Sequence, residues 1–328
     1  MASAPFDDFR KLLAGLPPAD TAAGERVRAQ FARADKPHGS LGRLEDIAAW
    51  LAAWTGRPPA VNKPLVAIFA GNHGVARHEI SPRPIEATAR AVELCAAGGA
   101  AINQLCLAHD LGLKVFDLAL HLPTADFTEE AALDERGCAA TMAFGMEAIA
   151  GGTDLVCVGD LGVGNSTVAA AIFAALFGGA GSDWVGAGSG ADAGMIVRKA
   201  EIVDAALARH AGRLSDPLEV LRRVGGREFA AIVGAILAAR MARIPVILDG
   251  HAATAAAAVL QTANPAALDH CVVAHMPIEP GHRKAVQRLG LEPLLDLKLA
   301  HGEGAGAALA AGLVRAAALC STGMAAAL

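Results

Sequence analysis

Near the C-terminal end of the chain, Glu303 stands between Gly302 and Gly304, at the mouth of an alanine-rich stretch with helical spacing. Flanking glycines let other atoms come close to the backbone, and a helix N-terminus adds unpaired N–H donors and a partial positive charge. A carboxylate in that position is either a simple partner of the helix dipole or a base held beside an anionic ligand. Taken alone, the dipole partner is the commoner case.

A second segment shifts that balance. Gly159-Asp160-Leu161-Gly162-Val163-Gly164-Asn165-Ser166-Thr167 follows an apolar run and opens a helical one. Three glycines followed by Asn, Ser and Thr at a helix start can build a nest of N–H groups and hydroxyls for an anion. The segment has no lysine of the P-loop type, and its glycine spacing is not that of a dinucleotide fold. A tight turn with an Asn or Ser cap is the plain alternative. A second glycine-rich loop, Val185-Gly186-Ala187-Gly188-Ser189-Gly190, precedes Lys199 on a predicted helix. The pair suits a phosphate or phosphoribosyl group gripped from two sides, with Lys199 as its charge partner; a solvated face is the ordinary fate of a lysine.

His73, His251, His275 and His282 fall at the ends of apolar runs or in the turns after them. No spacing among them is that of a metal site, and no metal is expected. Glu279-Pro280-Gly281-His282 reads as a loop that shapes a pocket, and the absence of a Gly-x-Ser-x-Gly element argues against an α/β-hydrolase triad.

These residues need a scaffold, and the chain describes one. Short apolar runs at 65–70, 114–118, 155–158, 246–249 and 271–274 alternate with helical segments, and each closes in a glycine or polar turn. That rhythm predicts an α/β fold with an open parallel sheet, Rossmann-like, whose ligands lie beyond the carboxyl ends of the strands. Residues from about 5 to 55 and the stretch from about 305 read as helical without strands. The expected division is a helical segment at 1–60, a sheet-based catalytic domain at 61–304 and a closing helix at 305–328, the two ends forming a small helical domain.

Composition narrows the function classes. Hydrophobic residues make up 54% of the 328 while aromatics are only 4%, with 36 glycines and no tyrosine, which predicts small-residue helices packed closely on a sheet. A net charge of −5 without any basic stripe argues against nucleic-acid binding. Cys95, Cys106, Cys138, Cys157, Cys271 and Cys320 lie among apolar neighbours with no pairing pattern, as buried thiols of a reducing compartment would. The N-terminal residues carry no basic and apolar leader, and the alanine-rich 250–260 stretch is too short to span a bilayer. A cytoplasmic protein is expected, without membrane attachment.

Together these segments resemble the nicotinate-nucleotide–dimethylbenzimidazole phosphoribosyltransferase family of cobalamin lower-ligand synthesis. The resemblance runs in order from residue 36 to the C-terminus. It is carried by Lys36-Pro37-His38-Gly39-Ser40-Leu41-Gly42-Arg43-Leu44-Glu45, Phe69-Ala70-Gly71-Asn72-His73-Gly74-Val75, Gly98-Gly99-Ala100-Ala101-Ile102-Asn103 and the 159–167 loop, then by Asp216-Pro217-Leu218-Glu219-Val220, Asp249-Gly250, the 279–282 loop and Gly302-Glu303-Gly304. It implies a homodimer that moves phosphoribose from nicotinate mononucleotide to a ring nitrogen of 5,6-dimethylbenzimidazole, needing no cofactor. Carried over residue by residue, it implies catalytic roles for Glu303, as general base, and Asp160. Gly162, Gly164, Asn165, Ser166, Thr167, Gly188, Lys199 and Gly302 would hold the nucleotide; Ser81, Arg90, Ala91, Leu161, His251 and His275 would line the aromatic-base pocket.

Several positions depart from the family pattern. Asp160 replaces a glutamate, Asn72 an aspartate, Arg90-Ala91 a Gln-Met pair and His251 an aromatic residue, while Leu299-Ala300-His301 stands where Met-Arg-Leu is usual. Two other readings keep these residues in different roles: a non-catalytic paralogue that binds a nucleotide or benzimidazole as sensor or carrier, and, against the glycine spacing, a dinucleotide oxidoreductase.

Overall fold

The computed structural model describes residues 4–326, so the outermost residues of the 1–60 and 305–328 segments lie outside the description. Six strands form one fully parallel sheet: β1 (Pro64–Ala70), β2 (Gly112–Asp117), β3 (Leu155–Leu161), β4 (Val246–Leu248), β5 (Cys271–His275) and β6 (Pro293–Leu295). Their order is β2-β1-β3-β4-β5-β6. The sheet is the expected open α/β one, extended by an edge strand that the sequence does not signal. β6 has three residues and opens on a proline, so it carries too little apolar pattern to be read.

Thirteen α-helices follow in chain order: α1 (Asp7–Ala14), α2 (Thr21–Arg33), α3 (Arg43–Thr55), α4 (Ala87–Ala96), α5 (Ala101–His109), α6 (Glu135–Ala148), α7 (Asn165–Phe177), α8 (Ala193–Arg209), α9 (Pro217–Val224), α10 (Arg227–Met241), α11 (His251–Ala263), α12 (Pro280–Leu289) and α13 (Ala305–Gly323). The helical stretch at the N-terminal end is three helices, because Pro17-Pro18 and the glycine turn at 39–42 interrupt it. Asp20 caps α2 by accepting the N–H of Ala23 at 2.9 Å.

The sheet separates two cores, and strand alternation feeds both. Along β1, Ala67 and Phe69 enter one core while Val66, Ile68 and Ala70 enter the other. The first core holds residues of α1 and of α6 to α12; the second holds residues of α2 to α5 and of α13. The chain's two ends meet in that second layer through α2, α3 and α13, whereas α1 contributes to the opposite face.

Small residues set the spacing. α6 and α10 cross so closely that a Cβ on Gly145 would sit 1.9 Å from the Ala231 carbonyl oxygen, and one on Gly234 would sit 1.9 Å from that of Met142. A side chain at either position would force the helices apart. Five cysteines are buried as free thiols, and Cys320 is half-buried. By length and composition alone, the stretches Ala87–His109 and Ala305–Gly323 could cross a bilayer. The second is α13, packed on α3, α5 and the sheet; the first is broken between α4 and α5 at Gly98, where φ is +78°.

Candidate active site

The chain leaves β1 to build β2 on one side and returns to lay β3 on the other. Connections therefore diverge beyond the carboxyl ends of β1 and β3, which is where an open parallel sheet forms a crevice. A cavity of about 460 Å³ occupies it. Its walls come from the end of β3 and the loop into α7, from residues 80–91 after β1, from the 187–191 loop, and from residues 300–303. A smaller cavity of about 80 Å³ shares Asp160, Asn165, Ser166, Gly188 and Gly302 with it and reaches Asp249, His251, His275 and Glu279.

Glu303 enters from the turn before α13. Its φ is +68°, a left-handed conformation that a non-glycine residue holds at a cost of about 1 kcal/mol or more. Two contacts impose it. The Glu303 N–H donates to the Asp160 carbonyl at 3.2 Å, and Asp249 accepts from Gly304 N–H at 3.2 Å and from Ala307 N–H at 2.8 Å. Asp249 caps α13 from the end of β4, so its carboxylate satisfies helix N-terminal donors across the sheet. Glu303 itself is buried, with His301 Nε2 3.2 Å from its Oε2.

Asp160 is buried at the end of β3 and hydrogen-bonded to the Asn165 amide at 2.6 Å. Burial pushes its carboxyl up to about 8, with the charges of Asp249 and Glu228 adding to the rise and the Asn165 amide opposing it. Near neutrality Asp160 is thus mostly protonated, and Glu303 stands beside a neutral acid. Glu228, buried at the start of α10, lies 2.6 Å from His73 Nε2 and backs the turns at Gly71 and Gly162.

The two glycine loops converge as a pair. Lys199 on α8 is buried, and its Nζ donates to Ser166 Oγ at 3.1 Å and to the Gly186 carbonyl at 2.9 Å. Burial lowers the pKa of this lysine, Glu279 opposing the shift. Glu279 in turn accepts the Gly188 N–H, and burial raises its carboxyl. Gly188 has φ +52°, and a Cβ there would sit 2.8 Å from Ser166 Oγ and 3.1 Å from Lys199 Nζ. Ser166, Lys199 and the glycine turn at 162–166 thus line one cavity, the setting an anion site requires. The Val163 N–H donates to Thr88 Oγ1 at 3.1 Å, tying this turn to α4.

The buried histidines near the site are neutral rather than cationic. Burial drives His251 down to about 3, with Lys199 contributing, and holds His282 well below its ordinary value. His275 is lowered by burial as well, the neighbouring Asp249 opposing. Among the described residues no group of three His, Cys, Asp or Glu side chains is arranged to hold a metal ion.

The structure brings most of the sequence-predicted residues to these two cavities. Glu303, Asp160, Gly162, Gly164, Asn165, Ser166, Gly188, Lys199, Gly302, Ser81, Ala91 and Leu161 line the larger one. His251 and His275 line the smaller. Thr167 is fully buried one residue inside α7 and faces neither cavity, because its place in the first helical turn directs it into the core. Arg90 is exposed on α4 and lines neither. The sequence assigns no role to Asp249, Glu228 or His301, and places Glu279 only in a loop that shapes a pocket. Asp249 follows a strand and precedes a glycine, which was the available signal; the others are ordinary helix-start or loop residues until the fold juxtaposes them.

The chain is similar to known proteins over nearly its whole length. The family model described as "Phosphoribosyltransferase" matches residues 16–327. A Rhizobium meliloti protein named nicotinate-nucleotide–dimethylbenzimidazole phosphoribosyltransferase is 64% identical over 321 residues, covering 98% of this chain and 95% of its own. A Sinorhizobium medicae protein of the same name matches at 64% over the same shares. A Thermus thermophilus crystal structure bearing that enzyme name superposes with a TM-score of 0.85 at 38% identity, over 94% of this chain and 97% of that one.

Proposed function

This chain belongs to the phosphoribosyltransferase family, and on that premise we propose that it transfers phosphoribose from nicotinate mononucleotide to 5,6-dimethylbenzimidazole or a related azole. The products are nicotinate and α-ribazole 5′-phosphate, the nucleotide of a cobalamin lower ligand. One observation carries the reading: a buried carboxylate, Glu303, lines the same cavity as Ser166, Lys199 and the glycine turn at 162–166, which together suit an anion.

The chemistry suits that pairing. Nicotinate leaves with the electrons of its glycosidic bond because its ring nitrogen is cationic in the nucleotide, so no acid is needed for departure. The azole attacks the anomeric carbon through one ring nitrogen and must lose the proton of the other. Glu303 takes that proton as general base. The phosphate, held away from the reacting carbon by Lys199 and the glycine loops, fixes the ribose against the incoming nitrogen. Asp160, protonated and hydrogen-bonded to Asn165, supports the Glu303 turn through its own carbonyl without adding a second negative charge. Ser81, Ala91 and Leu161 offer an uncharged surface for the aromatic base, and Arg90 would reach it only if the loop before α4 moves or a second subunit brings it near. A homodimer in the cytoplasm accords with the reading.

The deciding experiment incubates the purified protein with nicotinate mononucleotide and dimethylbenzimidazole and follows nicotinate by chromatography. Release that depends on the benzimidazole supports transfer. Tight nucleotide binding in calorimetry with no release, across a panel of benzimidazoles, purines and phenols, would make the protein a carrier or sensor instead.

A further inference from the structure

A buried base has to be emptied after each turnover. Glu303 Oε2 is enclosed, and the Glu303 side chain is 9% exposed. Among the described residues the one ionisable side chain within ion-pair distance of it is His301, whose Nε2 lies 3.2 Å away and whose side chain is 54% exposed. The imidazole thus touches the carboxylate on one side and water on the other, at the rim of the larger cavity. The hydrogen bond to Glu303 raises the His301 pKa; Arg83, across the rim, opposes protonation, and Asp249 behind the turn favours it. No other titratable group presses on it strongly.

We propose that His301 is the proton outlet of Glu303, a positioning and relay residue that carries to solvent the proton taken from the azole. The inference rests on the transferase reading above. The step balances simply: the azole N–H bond breaks as the Glu303 carboxylate takes the proton, and neutral His301 then accepts that proton from the carboxyl at Nε2 to become an imidazolium. The imidazolium releases a proton to water, and the carboxylate and neutral ring are restored. No redox partner is involved. Neutral imidazole is well suited to this work because its pKa lies near the operating pH.

The test compares wild type, His301→Ala and His301→Gln in steady-state nicotinate release, over pH 5.5 to 9 and with added imidazole. The relay predicts that both variants lose about tenfold or more in kcat, with KM for each substrate within about twofold. It further predicts that the acid-side inflection of wild type moves, and that imidazole restores much of the lost kcat of the alanine variant in proportion to its concentration. Unchanged kcat in His301→Ala overturns the relay, as does full activity in His301→Gln or a loss that imidazole does not restore. Absence of azole-dependent release by wild type itself is a separate result: it overturns the transferase reading and the relay with it.

Discussion

Asp249 and Gly304, 55 residues apart in sequence, are joined by a hydrogen bond of 3.2 Å from the Gly304 N–H to the Asp249 carboxylate. The other carboxylate oxygen accepts from Ala307 at 2.8 Å. Both oxygens thereby hold the turn that presents Glu303, and both are buried. Asp249→Ala would leave two buried donors unpaired, and a loss of about 1–3 kcal/mol in urea unfolding is expected, with a smaller loss in Asp249→Asn. Equal stability of wild type and Asp249→Ala would show that water replaces the carboxylate.

Glu303→Gln preserves size while removing basicity. A drop in kcat of about 10² to 10⁴ is expected, with nucleotide affinity by calorimetry nearly unchanged. Glu303→Gly removes the base and also the left-handed strain at φ +68°. It should therefore be inactive yet no less stable than wild type. Turnover that survives in Glu303→Gln would take the base role from this residue.

Lys199 is the buried lysine of the proposed phosphate site. Lys199→Met keeps the stem and deletes the charge, so nucleotide Kd should rise about 10- to 100-fold, with a smaller change in the affinity for free dimethylbenzimidazole. Gly188→Ala should act on the same affinity, since its Cβ would press on Ser166 Oγ at 2.8 Å. Calorimetry with nicotinate mononucleotide reads both.

Asp160 makes stability depend on pH. Its folded carboxyl, near 8, lies above the ordinary 3.8, so between those values the folded state binds a proton that the unfolded state has released. Stability from this group is complete below about 4 and falls as pH rises toward 8. Asp160→Asn removes that dependence. The variant should gain on wild type steadily from pH 5 to pH 8 in matched denaturant titrations; a gap that stays constant would place the carboxyl near its ordinary value.

The sequence by itself determined a good deal. Continuous apolar runs mark five of the sheet's strands, of which β1, β3 and β4 are buried throughout while β2 lies at the edge, and the glycine loops mark the crevice because glycine-rich turns let a ligand approach the backbone closely. Gly302-Glu303-Gly304 is conspicuous for the same reason, although its backbone could not be foreseen: besides Gly304 at φ +76°, the glutamate is itself left-handed at φ +68°. Only the tertiary structure decided which polar side chains act together. Asp249 meets the N-terminus of α13, Glu279 meets Gly188, and the Asp160 carbonyl meets the Glu303 N–H because strand order and helix packing fold distant segments onto the carboxyl ends of the strands. Thr167 and Arg90 show the converse. Both sit inside segments that resemble the site, but the helical turn of one and the exposed face of the other direct their side chains away from it. A linear pattern fixes what a residue can do chemically; its direction and burial, which decide whether it does so, arise from contacts between segments far apart in the chain.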